Sequence, residues 1–249
     1  MSTADVADRL EAEDLARARW YSFFSRWFLA PPDRQAIDLF LQPADGFRCS
    51  RPGSDRVPAP LPAPASSGPS ALDRTPTPLD ASCSSVPTPG SAAPRLESAW
   101  LAFAAAVADA SLESMRAAYD DTFVSVGEAP VSLHASFYLT GFAHERPLAE
   151  VRQWLAGQGI EASQSGLLTE DHLGLLCEVM AWLIIERGNA DSASADASQH
   201  FLFQRFLSPV CDEFCQRLGQ ANSAGVYREL GQLFAAFSAI ERQAFDIDR

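Results

Sequence analysis

An all-α fold is predicted by three features of this chain of 249 residues. Apolar residues recur at helical spacing in segment after segment, and no segment alternates with period two between turn signals. Twelve of the 17 prolines are also crowded into one stretch, which leaves most periodic segments free of them. Together these features give a single-domain helical bundle of about eight to ten helices.

Each element follows from local chemistry. Trp20, Tyr21, Phe24, Trp27 and Phe28 recur at helical spacing after an acidic first turn, and Pro31-Pro32 stops that helix. Asp33 begins a short helix carrying Ile37, Phe40 and Leu41. Leu96, Trp100, Phe103 and Val107 form one face of the next helix. Leu112, Met115, Tyr119 and Phe123 form the face of another. Pro130 lies in a loop before a short helix over 135–141, and Pro147 suits the first turn of a helix reaching Gly157. The stretch from Thr169 to Arg187 is apolar nearly all round, which predicts a central helix. Helices over 199–218 and from Val226 to Ile240 complete the bundle.

Between positions 43 and 95 the composition changes. That stretch holds 12 of the 17 prolines, padded with Ser, Ala and Gly. It cannot bury enough apolar surface to offset the entropy of ordering, so it is predicted to be a disordered insert. Residues 1–42 and 96–249 then form one helical domain of 196 residues (249 less 53).

Charge and residue usage exclude several function classes. The net charge is −13, and the acidic surface argues against nucleic acid and anionic membranes. No lysine is present, which removes Schiff-base chemistry and a phosphate-loop lysine. The five cysteines are scattered, with Cys49 and Cys83 in the insert and Cys177, Cys211 and Cys215 in apolar helical patterns. This is not a disulfide framework. Cys211 and Cys215 stand at i,i+4, where packed small hydrophobes are commoner than metal ligands. The acidic N-terminus lacks a secretory pattern, and the longest apolar run is too short to span a bilayer. A cytoplasmic location is expected.

Two stretches carry candidate sites. In TEDHLGLL, Thr169 suits an N-cap, with Glu170 and Asp171 in the first helical turn. His172 and Glu178 are not explained by capping. On a helix starting at Thr169, Asp171 and Glu178 are separated by about 700° and share one face two turns apart. In PVSLHASFYLTG, a loop entering a short helix gathers Ser132, His134, Ser136 and Tyr138. No G-x-S-x-G elbow, no H-x-x-x-H and no E-x-x-H pair accompanies either stretch, so no catalytic or metal residue is assigned.

Taken in order, YSFFSRWFLAPP, YDDTFV, HASFYLTG, LAEVRQW and DHLGLLCEVMAWL, with FLSPV and VYREL later, give a more specific signal. This series resembles the TorD/DmsD-type chaperones that mature molybdenum-containing redox enzymes. The resemblance implies an all-helical cytoplasmic protein without catalysis or cofactor. It would bind the twin-arginine signal peptide and apo form of a molybdoenzyme until cofactor insertion, as a monomer or homodimer. It also implies peptide binding by Asp171, His172, Ser136 and Tyr138, with His134 and Glu178 beside them. Of the family's two acids following Asp-His, only Glu178 is present here, with Leu176 in the other place. The alternative is a helical hydrolase or metal-dependent enzyme using Asp171, His172 and Glu178.

Overall fold

The structure is a computed structural model describing residues 12–34, 37, 92–125, 129–143, 145–160, 168–186 and 192–247. The expected insert lies outside the described residues except for 92–95, and so does most of the short helix after Asp33. Among the described residues every extended element is helical, as the periodicity predicts.

Helix α1, Ala12–Leu29, has Glu13 and Asp14 in its first turn and Arg26 in its last, favourable at both ends of the helix dipole. Helix α2, Ala92–Asp109, begins four residues inside the expected insert. Pro94 falls in its first turn, where a missing N–H costs nothing, so the proline that suggested insert instead opens the helix. Helix α3, Leu112–Tyr119, is capped by Ser111, whose hydroxyl accepts from the Ser114 N–H at 3.0 Å. It runs into a π-helical turn, π1, Asp120–Val124, ending at Ser125 with φ of 27°.

Helix α4, Ala135–Thr140, stops at Gly141, whose φ of 85° is open to glycine without strain. Helix α5, Arg146–Gly157, has Pro147 in its first turn, as expected. Helix α6, Leu173–Glu186, starts four residues later than Thr169. The helix expected over 199–218 is longer and interrupted. It comprises α7, Ser192–Leu202, a second π turn, π2, Phe203–Leu207, and α8, Ser208–Gln220. The last helix, α9, Tyr227–Ile247, outruns the expected end at Ile240.

The core is aromatic and centres on α1. Phe24 meets Phe234 at 4.9 Å and Trp27 meets Phe103 at 4.9 Å, both edge-on. Such contacts add about 0.5–1.5 kcal/mol each beyond the area they bury. The widest helix contact is α6 along α1, which makes α6 the central helix its all-round apolarity predicted. A Cβ on Gly174 would stand 2.7 Å from Leu29 Cγ, so glycine lets the start of α6 abut the end of α1. Tyr119 reinforces that end by donating its hydroxyl to the Phe28 carbonyl at 2.8 Å.

A buried polar cluster ties the bundle's far side. Arg17 on α1 makes a two-pronged pair with Glu241 on α9 at 2.8 and 2.9 Å, and the Tyr21 hydroxyl donates to the same carboxylate at 2.9 Å. Glu241 is buried, so losing Arg17 leaves its carboxylate as a buried charge short of its ion-pair partner.

Candidate functional site

The loop entering α4 and the loop entering α6 lie side by side. Leu173 donates its N–H to the Leu133 carbonyl at 2.7 Å, and Ala135 donates to the Asp171 carbonyl at 2.9 Å. These two bonds join stretches that are about forty positions apart, bringing HASFYLTG and TEDHLGLL into one site. Along the first loop Val131 and Leu133 are buried while Ser132 and His134 are half-buried, so one side serves the core and the other faces outward.

Asp171 is fully buried at the junction. Its carboxylate accepts from the Ser136 N–H at 3.2 Å, from the Ser136 hydroxyl at a short distance, and from the Thr169 hydroxyl at 2.6 Å. Ser136 is in the first turn of α4, so Asp171 caps a helix other than the one it precedes. Thr169 has a single hydroxyl proton, and it points to Asp171. The 3.1 Å contact between Thr169 Oγ1 and His134 Nδ1 therefore needs its proton on the histidine. The same Nδ1–H lies 3.4 Å from the Asp171 carboxylate. Burial raises the Asp171 pKa, but the hydrogen bonds from His134, Ser136 and Thr169 outweigh it and hold the group well below the usual carboxylate range.

His172 has the opposite tautomer. Its Nδ1 accepts from the Gly174 N–H at 3.2 Å and its carbonyl accepts from the Leu176 N–H at 2.9 Å. These are the two marks of an N-cap, so His172, not Thr169, caps α6. The expected cap is displaced because Thr169 is turned toward Asp171. Desolvation lowers the His172 pKa to about 4, with a further push from His134 against a weaker pull from Asp171. The ring is thus neutral at pH 7 with its proton on Nε2.

The remaining candidates divide. Tyr138 donates its hydroxyl to the Ser132 carbonyl at 2.7 Å, bracing the loop from inside α4. Glu178 is not part of this arrangement. Because α6 starts at Leu173, Asp171 lies before the helix and is buried, whereas Glu178 lies on the exposed flank about 9 Å further along the axis than His172. The shared face expected for Asp171 and Glu178 does not form, and Leu176 is buried in the core. Asp171, His172 and Glu178 therefore do not converge as an enzyme's acid, base and ligand would. Among the described residues no group of three His, Cys, Asp or Glu is placed to hold a metal ion.

Beside the paired loops lies a groove of about 620 Å³. His134, His172, Ser132 and Leu133 line one wall. Tyr119 at the end of α3 and Phe123 and Val124 on π1 line it too, with Phe137, Gly141 and Phe142 from the α4 end, and Leu168. Its rim is apolar and open to solvent: Phe142 is 70% exposed, Val124 60% and Leu168 40%. A cluster of exposed large hydrophobics around one cleft marks a candidate binding surface, and the volume falls within the range of ligand sites, roughly 300–1,000 Å³. Sequence reasoning missed these rim residues. They sit at element ends and in loops, where no periodicity marks them; an aromatic directly after the helix-ending Gly141 is the one local signal.

Fold and groove together define an all-helical protein with an apolar-rimmed cleft built on two paired loops. The chain belongs to the nitrate reductase delta subunit family, whose sequence model matches residues 90–216. Over 144 residues it is 26% identical to Chaperone protein TorD of Vibrio cholerae serotype O1, in both the El Tor Inaba and the Classical Ogawa strains. That match covers 55% of this chain and 64% of each relative, so the chain spans less than two thirds of their length. The TorD-type resemblance read from the order of the motifs is thus shown. Among the described residues no helix is long and apolar enough to cross a membrane.

Proposed function

We propose that this protein is a cytoplasmic chaperone for a molybdenum-cofactor oxidoreductase, holding the twin-arginine leader and the apo-enzyme until cofactor insertion. The observation that carries the reading is the apolar-rimmed groove beside the Asp-His loop in a chain of this family. The leader's apolar run enters the groove between Phe142, Val124 and Leu168, where each buried side chain contributes about 1.5–3 kcal/mol. Its arginines meet the acidic surface, to which π1 contributes the exposed Asp120 and Asp121. His134 and His172 face the peptide, while Asp171, Ser136 and Tyr138 act behind them by holding the loops. Glu178, on the exposed flank of α6, belongs to a second contact with the enzyme body. The protein works by binding rather than turnover and needs no cofactor of its own.

The test is a calorimetric titration of the full chain with the client's leader peptide and with its Lys-Lys version. Tight binding of the Arg-Arg peptide, weakened in the Lys-Lys version and in Phe142→Ser, is the expected result. Equal affinity for both peptides, or affinity indifferent to Phe142→Ser, overturns it.

A further inference from the structure

Cys211 and Cys215 lie one turn apart on α8, and neither is used by the proposed function. Their sulfurs are 3.8 Å apart, in contact and unbridged. Cys211 is buried and Cys215 half-buried, so the pair is reached from solvent through Cys215. Arg242 on α9 lies across α8, donating to the Ser208 carbonyl at 2.8 Å and to Asp212 at 3.0 Å.

We propose that Cys211 and Cys215 form a reversible redox pair, closing to a disulfide within α8 when a two-electron oxidant of the peroxide class is present. The Cys211 sulfur attacks one peroxide oxygen; an S–O bond forms, the O–O bond breaks, and the departing oxygen leaves as water after taking a proton. The Cys215 sulfur then attacks the sulfenic sulfur. The S–S bond forms, the S–O bond breaks, and a second water leaves with the second thiol proton. Two thiols are oxidised by two electrons and one peroxide is reduced to two waters.

The environment assigns the order of events. The hydrogen bond from Cys215 lowers the Cys211 pKa in spite of burial, and Ser238 and Arg242 push it the same way. The thiolate is the nucleophile, so Cys211 leads. The helix supplies the reversibility. Side chains at i,i+4 have Cβ atoms about 5–6 Å apart, whereas a relaxed disulfide needs about 3.5–4.5 Å. Closing the bridge therefore draws in the turn between the cysteines, and a strained disulfide is an easily reduced one. Phe214 sits inside that turn and packs edge-on against Tyr138 at 6.1 Å and Phe28 at 5.4 Å. Distortion of α8 thus reaches Tyr138, the residue that braces the groove loop.

The experiment treats the purified full chain with hydrogen peroxide, blocks remaining thiols with iodoacetamide, and maps tryptic peptides. With no lysine in the chain, cleavage is at arginine only, and both cysteines fall alone in the peptide from Phe206 to Arg217. We expect that peptide to lose two hydrogens, escape alkylation, and recover both thiols after dithiothreitol. Cys177, fully buried and with its thiol pushed up by burial, stays alkylatable only after unfolding. In Cys215→Ala the bridge is absent, and Cys211, which loses the hydrogen bond that lowers its pKa, is recovered as a thiol after unfolding. If Cys211 and Cys215 remain thiols, or if the peptide gains oxygen atoms without ever passing through the bridged form, the proposal is overturned.

Discussion

Asp171→Ala is the most informative perturbation of this molecule. The carboxylate is fully buried and receives the Ser136 N–H, the Ser136 hydroxyl, the Thr169 hydroxyl and the His134 ring N–H. Removing it strands several donors at once. Each unsatisfied buried donor costs about 1–3 kcal/mol, but such costs do not add within one network. The closest analogue, breaking a buried ion pair from one side, costs about 3–5 kcal/mol. For the ordered unit of this size that corresponds to a fall in Tm on the order of 6–20 °C, at about 2–4 °C per kcal/mol. Urea unfolding followed by circular dichroism at pH 7 measures it, with Asp171→Asn keeping one acceptor oxygen and falling between wild type and alanine. A loss below about 1 kcal/mol for Asp171→Ala, the size of a single surface cap, would refute the network argument.

Other expectations follow from the same structure. His172 is buried with a folded pKa of about 4 against an unfolded 6.5, so the unfolded chain binds the extra proton as pH falls through that window. Stability should therefore drop between pH 6.5 and 4 by up to about 3 kcal/mol, at 1.36 kcal/mol per pKa unit. His172→Asn, which keeps the cap acceptor without the titration, should flatten that slope in urea melts run across pH. Phe142→Ser should leave stability within about 0.5 kcal/mol, as for exposed sites, yet weaken leader binding by roughly 10- to 100-fold, the burial of one aromatic side chain. Glu241→Ala should cost about 3–5 kcal/mol by taking the acceptor from the Tyr21 hydroxyl and from two Arg17 N–H groups, without changing the affinity of the protein that remains folded. Gly174→Ala should destabilise by about 1–3 kcal/mol through overpacking against Leu29, read as a lower urea midpoint.

How far the sequence was legible depended on whether the information was local. Helix content was local: the aromatic repeat of α1 and the all-round apolarity of α6 reported their burial directly. The order of motifs along the chain pointed to the family, because order survives where single residues vary. Of the candidate residues, His134, Ser136, Tyr138, Asp171 and His172 come together at the paired loops and Glu178 does not. Asp171 does not act on its own helix; it caps α4 through Ser136, thirty-five positions earlier, and no helical-wheel argument contains that contact. The pairing of Asp171 with Glu178 failed for a related reason. It assumed a helix running from Thr169, whereas Thr169 is turned aside by Asp171 and the helix waits for His172 to cap it. The groove was illegible because its walls come from the π1 turn, two loops and the end of a short helix, where no period repeats.

The buried state of Asp171 also bears on how a leader would be recognised. A guanidinium fork pairing with Asp171 would have to displace the Ser136 and Thr169 donors and the His134 ring, opening the start of α4 and the loop junction together. Nothing gained from a single ion pair in an aqueous cleft, worth about 0–1 kcal/mol when exposed, offsets that loss. Arginine selectivity is therefore better supplied by carboxylates already at the surface, such as Asp120 and Asp121 on π1. The Asp-His pair then does something a surface carboxylate does not. Asp171 fixes the proton of His134 on Nδ1 while the α6 cap fixes that of His172 on Nε2, so two rings 5.4 Å apart present opposite hydrogen-bonding character beside the groove. Substituting Asp171 should accordingly weaken Arg-Arg and Lys-Lys leaders alike, whereas substituting Asp120 and Asp121 should erase the difference between them.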